Sequence, residues 1–160
     1  MKVTLGTNSY ETNTITAHDD DGNEIAELSF HKWFQRPDTT ELSSLRVRSG
    51  NQKRGIGTAV LRKWKTWAMR NMRLKYVYAN TVSQASLKAM VKVFGQPVFL
   101  SDGIRLFSLK EALSKLPEKY EFKGSDYGEI QASGMDAIFC LSRHHCHPTQ
   151  WDEQMKAVEK

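Results

Sequence analysis

Apolar and polar residues alternate with a period of two through the first part of the chain, then switch to the period of a helix. That switch predicts most of the elements. Lys2–Gly6 and Glu11–His18 read as short strands, Asp19-Asp20-Asp21-Gly22-Asn23 as a tight turn, and Glu24–Lys32 as the returning strand, with alternation at Ile25, Glu27 and Ser29. Glu41–Arg48 is the next strand. Over Thr58–Asn71, Val60, Leu61, Trp64, Trp67 and Ala68 recur at i, i+3, i+4, i+7 type spacing, which predicts an amphipathic helix. Leu74–Thr81 reads as a strand. Ser83–Phe94 reads as a helix, with Ser83 as N-cap, Leu87, Met90, Val91 and Phe94 as its apolar stripe, and Gly95 at its end. Pro97–Leu100 and Ile104–Leu109, joined by Ser101-Asp102-Gly103, suggest a hairpin, and Leu109–Leu116 a short helix.

Length and composition narrow the class. The chain has 160 residues, 39% hydrophobic and 26% charged, which suits one compact globular domain with a real core. No window approaches the roughly 18 consecutive apolar residues of a membrane span. The opening Met-Lys-Val-Thr-Leu-Gly carries no apolar signal segment, so a cytoplasmic protein is expected. Two cysteines, Cys140 and Cys146, are too few to imply a disulfide framework.

Charge is unevenly distributed. Residues 1–41 hold three Lys/Arg against eight Asp/Glu, residues 42–101 twelve against none, and residues 102–160 eight against ten. The middle block is a solvated helix face in its plainest reading, since Arg62, Lys63, Lys65, Arg70 and Arg73 lie on or just after one helix. Its functional reading is attraction of an anion, either a cofactor's phosphates or a nucleic acid backbone.

The chemistry concentrates at Gln52-Lys53-Arg54-Gly55-Ile56-Gly57-Thr58, between a strand and a helix. The first N–H groups of a helix lack intrahelical partners and carry the positive end of its dipole, so an anion gains hydrogen bonds and charge stabilisation there. Gly55 and Gly57 allow close approach, Lys53 and Arg54 add charge, and no acid opposes them locally. The spacing is neither a Walker loop nor a dinucleotide fingerprint. Gln-x-x-Gly-x-Gly after a strand and before a helix resembles the pyrophosphate-binding motif of the GNAT superfamily of acetyl-CoA-dependent N-acetyltransferases. The order of elements from about 41 to 109 is similar to that family's cofactor-binding half.

That resemblance implies a mixed α/β fold with a mostly antiparallel central sheet flanked by helices. Residues 1–109 would form the acetyltransferase domain and residues 110–160 an extension packed on it. The helices that usually separate the first two strands are shortened to a handful of residues between Gly6 and Glu11. The extension is then expected to supply missing surface or a homodimer contact. The cofactor implied is acetyl-CoA, its pantetheine arm along Leu45, Arg46 and Val47, its phosphates on Gln52 to Thr58, and Asn80 bonding the pantetheine amides or capping the next helix.

Amine acylation needs a base for the amine, a donor for the oxyanion and an acid for the thiolate. The resemblance points to Glu41 as base, with Glu27 and His31 as alternates. Where many relatives carry a tyrosine acid, this chain has Met90 or Val91, so Ser86, one turn earlier, is the candidate donor, with Tyr76 or Tyr78 as strand-borne substitutes. Cys140, His144, His145, Cys146 and His147 form a soft-ligand cluster, but no second knuckle exists to complete a standard zinc site. No metal is expected, and Cys140 reads as a buried thiol. The expected function is acetyl transfer from acetyl-CoA to a primary amine on a small molecule, protein or aminoacyl-tRNA. The alternatives are a GNAT-like fold that has lost catalysis and serves binding, and an enzyme directed to nucleic acid by the basic block.

Overall fold

Asp19 closes the first hairpin by accepting backbone N–H bonds from Asp21 and Asn23 at 3.0 and 2.8 Å, while Gly22 takes a positive φ of 85°. The computed structural model describes residues 2–7, 13–33, 35–48, 50–51, 55–71, 73–119 and 134–141. It is a mixed α/β fold of mostly antiparallel sheet flanked by helices, and the chain divides into two compact units, Met1–Val77 and Tyr78–Lys160.

In the first unit, β1 (Lys2–Thr7), β2 (Asn13–His18), β3 (Glu24–Lys32) and β4 (Thr39–Val47) form an antiparallel meander in chain order. Paired residues on neighbouring strands share a face. Ile15 and Ala17 of β2 therefore stand with Ala26, Leu28 and Phe30 of β3, and all five are buried. Helix α1 (Ile56–Asn71) packs on this face through Ile56, Val60, Leu61, Trp64 and Ala68. Boundaries move by two residues at the starts of β4 and α1, as at the strand expected from Leu74, which starts at Tyr76. β4 starts at Thr39, because Thr39 and Thr40 are β-branched and fully buried, and α1 starts at Ile56, because the Gly55 carbonyl already accepts from Ala59 at 3.0 Å.

The turn into β4 is held by Arg36, which bonds both Asp38 oxygens through Nε (3.0 Å) and Nη2 (2.8 Å) and lies 5.3 Å from the Tyr76 ring centroid. The Asp38 carbonyl accepts from the Lys75 and Tyr76 N–H groups, so this turn also fixes the start of β5 (Tyr76–Thr81).

In the second unit, β5 is followed by α2 (Gln84–Phe94), β6 (Phe99–Ser101), α3 (Leu109–Lys115) and β7 (Met135–Cys140), with strand order β5-β7-β6. Both helices begin with a capping box, Ser83 with Ser86 and Ser108 with Glu111, which satisfies their first N–H groups. Leu87, Met90, Val93 and Phe94 form the buried stripe of α2, so Val93 replaces the expected Val91. The expected hairpin after Gly95 reduces to a single bridge, Ser101 to Leu106. β6 pairs with β7 instead, Phe99 opposite Ile138 and Leu100 opposite Ala137. Ala137, Ile138 and Phe139 are all fully buried, as befits a strand covered on both faces.

Candidate active site

A one-residue bulge in β4 decides which residues face which way. Ala26, Glu27, Leu28 and Ser29 pair with Val47, Arg46, Leu45 and Ser44, but Phe30 pairs with Leu42, leaving Ser43 as the extra residue. Its hydroxyl donates to the Ser29 carbonyl at 3.2 Å. Below the bulge, Thr40 and Leu42 share the α1 face, and above it Leu45 and Val47 do. Glu41 is thereby placed on the opposite face, with Arg46, Ser44, Glu27, Ser29 and His31.

On that polar face Glu41 stands directly across from His31, with Nε2 of the imidazole 2.6 Å from Oε2 of the carboxylate. The side chains are 32% and 25% exposed, open enough to meet a ligand and closed enough to hold one geometry. The His31 carbonyl accepts the Thr40 hydroxyl at 2.9 Å, pinning the backbone between the two. His31 Nδ1 is buried and has no hydrogen-bond partner among the described residues. Sequence reasoning offered these two side chains as rivals, and register makes them a pair.

The glycine turn comes next. Gly55 has φ 72° and is exposed, and the first turn of α1 contains no acidic residue. The N–H groups of Ile56, Gly57 and Thr58 belong to that first turn, where no intrahelical acceptor exists. The Ile56 side chain is buried, so only its backbone faces an incoming group. A Cβ on Gly57 would lie 3.5 Å from Leu45 Cδ2 and 3.7 Å from Val47 Cγ2, which places the start of α1 directly on the end of β4. Gln52, Lys53 and Arg54 lie outside the described residues.

The remaining candidates, Tyr76 apart, belong to the second unit. The Ser86 hydroxyl donates to the Ser83 carbonyl at 2.9 Å while accepting the Ser83 N–H, and is thus engaged in the α2 cap. Asn80 is exposed and donates its amide to Asp136 Oδ1 at 2.9 Å, the same oxygen that takes the Tyr78 hydroxyl proton at 2.6 Å. Asp136 and Gly134, absent from the sequence reading, thus fix Asn80: a Cβ on Gly134 would fall 1.8 Å from its Oδ1. The signal was the Met-Asp-Ala alternation of β7. Tyr76 is buried, and that burial pushes its phenol up, so it serves the core.

His144, His145, Cys146 and His147 lie outside the described residues, and among the described residues no group of His, Cys, Asp and Glu is placed to hold a metal. Cys140 corrects the expectation of a buried thiol, being half-buried and disulfide-bonded.

Among the solved structures that share the fold are three acetyltransferases. They are a putative phosphinothricin N-acetyltransferase (20% identity, 82% of this chain and 72% of that chain, TM-score 0.52), a chimera of the spermidine N-acetyltransferase SpeG from Vibrio cholerae with hSSAT (7%, 87% and 72%, 0.53), and the Tetrahymena GCN5 histone acetyltransferase catalytic domain in complex with coenzyme A (12%, 85% and 69%, 0.50). No curated protein matches the chain in sequence. The acetyltransferase (GNAT) family model matches residues 5–95, from the first strand through the whole of α2. With the glycine turn at the head of α1 inside that match, the chain belongs to the GNAT family of N-acetyltransferases.

Proposed function

We propose that this protein transfers an acetyl group from acetyl-CoA to a primary amine by direct attack, in the cytoplasm. The observation that carries the reading is the junction of β4 with α1: an exposed positive-φ glycine, a first turn free of acids, and Gly57 resting on Leu45 and Val47. This junction fits an anion, and the coenzyme A complex of a protein with the same fold supports coenzyme A as that anion. Gln52 to Thr58 would hold the phosphates, and the backbone of Leu45, Arg46 and Val47 would align the pantetheine arm, with Asn80 as a further contact.

Acetyl-CoA supplies an acyl group activated as a thioester. Glu41 would take a proton from the ammonium form of the amine, and the freed lone pair would attack the thioester carbonyl carbon; as the tetrahedral adduct collapses and its C–S bond breaks, the nitrogen's second proton would pass to solvent, leaving the amide and a thiolate. The thiolate takes its proton from solvent or from Ser86, whose hydroxyl would have to leave the α2 cap. Glu41 is half-buried on a polar face, so its carboxylate is open to an approaching amine.

Calorimetric titration of acetyl-CoA into the full chain tests the first half of this reading. Wild type should bind saturably. Gly57→Ala, which adds a Cβ without charge, should still bind, and Gly57→Glu, which sets a carboxylate in the first turn, should not. Turnover is then assayed against a panel of spermidine, phosphinothricin and nourseothricin, whose acetyltransferases share the fold. Absence of acetyl-CoA binding by wild type would sink the proposal and favour a binding protein.

A second reading, direction to a nucleic acid, is favoured by α1 itself. Arg62, Lys63, Arg70 and Arg73 are exposed. At about 1.5 Å rise per residue, Arg70 lies roughly 20 Å from the helix start, beyond reach of a cofactor phosphate bound there. Binding of transfer RNA that weakens steeply with log[salt], and less steeply in an Arg62→Gln/Arg70→Gln protein, would support it. A flat salt response would leave a solvated face.

A further inference from the structure

The base assigned above to Glu41 has a partner on the neighbouring strand, and the state of that partner can be read from its two nitrogens. A neutral imidazole carries one N–H and one lone pair. Nδ1 of His31 is buried with no described group to receive a proton, whereas Nε2 sits 2.6 Å from a carboxylate oxygen. A proton on Nδ1 would bury an unpaired donor and set two lone pairs against each other at Nε2. The proton therefore belongs on Nε2, where it bonds Glu41 Oε2.

We propose that His31 is a positioning residue for Glu41, its Nε2–H anchoring Oε2 so that Oε1 is the oxygen that accepts the amine proton. This inference rests on the reading of Glu41 as base. Three features make the anchor stiff. His31 and Glu41 are directly paired across an antiparallel ladder. The His31 carbonyl is tied to the Thr40 hydroxyl beside Glu41. The preceding residue, Phe30, is fully buried, with its ring centroid 5.7 Å from that of Trp64 and 5.4 Å from that of Trp67. A glutamate alone on a sheet face samples several rotamers, and one anchored oxygen leaves the second carboxylate oxygen in a single place. Stability alone does not account for the contact, because a half-exposed hydrogen bond contributes little to folding.

The test uses the full-length protein and its His31→Gln, His31→Leu, Glu41→Gln and His31→Leu/Glu41→Gln variants, assayed on the same amine panel, with acetyl-CoA titration of each as the check on folding. Glu41→Gln should lower kcat by about 10²- to 10⁴-fold, the usual worth of a general base. His31→Leu should lower kcat by about tenfold or more with acetyl-CoA affinity unchanged, and His31→Gln, which keeps an N–H donor, should restore most of that loss. The double variant should be no slower than Glu41→Gln, since His31 acts only through the carboxylate. Two-bond ¹H–¹⁵N spectra should find the proton on Nε2 in wild type.

A proton on Nδ1, a glutamine that rescues nothing, or a His31→Leu loss that multiplies with that of Glu41→Gln would each overturn the proposal. Glu41→Gln turning over at the wild-type rate would sink the base assignment and the positioning role with it. An Nε2 proton in that case would show that the pair forms and that the error lay in the assignment of the base.

Discussion

Phe30 of β3 meets Trp64 of α1 edge to face, their ring centroids 5.7 Å apart with 66° between the planes. Both side chains are fully buried, and Trp67, half-buried one turn later, comes within 5.4 Å of the same phenyl ring. This aromatic knot ties α1 to the strand behind His31, so it holds the glycine turn and the polar face in one frame.

Trp64→Ala should therefore destabilise the protein by about 3–5 kcal/mol, the usual cost of emptying an aromatic core site, and Trp67→Ala by less. Urea titration followed by circular dichroism measures both. Equal losses would mean that burial at Trp64 is not what anchors the helix.

The two glycines of the turn should separate in a stability assay. Gly55 has φ 72°, where an L side chain costs about 1–2 kcal/mol, so Gly55→Ala should lower the urea midpoint. Gly57 lies inside α1, and its added Cβ would meet Leu45 and Val47 at ordinary contact distance. Gly57→Ala should leave stability unchanged or raise it by up to about 1 kcal/mol, as alanine does in helices. A loss at Gly57 as large as that at Gly55 would contradict this picture.

Asp38 gives the first unit an acid-sensitive point. Burial pushes its carboxyl up, but the hydrogen bonds and charge of Arg36, with the Thr39 hydroxyl, outweigh burial and hold it below its ordinary value of 3.8. A carboxyl depressed in the folded state contributes stability above its unfolded value, and that stability is lost as pH falls through the folded value. Stability should thus drop as pH goes below about 4, and Arg36→Met should remove that portion of the drop while lowering stability at pH 7. Urea midpoints at pH 7 and pH 3.5 for both proteins decide it. An unchanged pH dependence in the variant would rule out the pair as the source.

Gly134→Ala should break the Asn80 to Asp136 bond by pushing the Asn80 amide aside, because its Cβ would lie 1.8 Å from Asn80 Oδ1. Asn80 is exposed, so the cost should stay near the worth of one hydrogen bond, about 1 kcal/mol. Asn80→Ala in the same protein should remove the clash and add no further loss. A much larger loss at Gly134, unrelieved by Asn80→Ala, would point to backbone strain instead.

The helices and the first hairpin were legible because each follows from local chemistry: Val60, Leu61, Trp64 and Ala68 recur at helical spacing, Ser83 caps, and Gly22 turns. The pairing of β6 was not. Pro97–Leu109 carries a good turn signal in Ser101-Asp102-Gly103, and nothing local says that Phe99–Ser101 will prefer β7, more than thirty residues on. The glycine turn stood out because glycine and charge are concentrated there. Glu41 and His31 were each visible as titratable side chains, but their pairing depends on register, and register depends on Ser43. A serine among serines, Ser43-Ser44, gives no hint that a strand gains an extra residue there.

That extra residue works as a phase shift in a two-beat pattern. Were Ser43 paired in turn instead of bulged out, Glu41 and Leu45 would share a face, and the carboxylate would be carried to the side that packs on α1 or the leucine and valine out to the polar side. Deleting one residue from a surface loop usually costs little. Deleting Ser43 would close the bulge and still leave Glu41 opposite His31 and Leu45 opposite Leu28, so the separation of this protein's chemistry from its core rests on one residue standing outside the ladder.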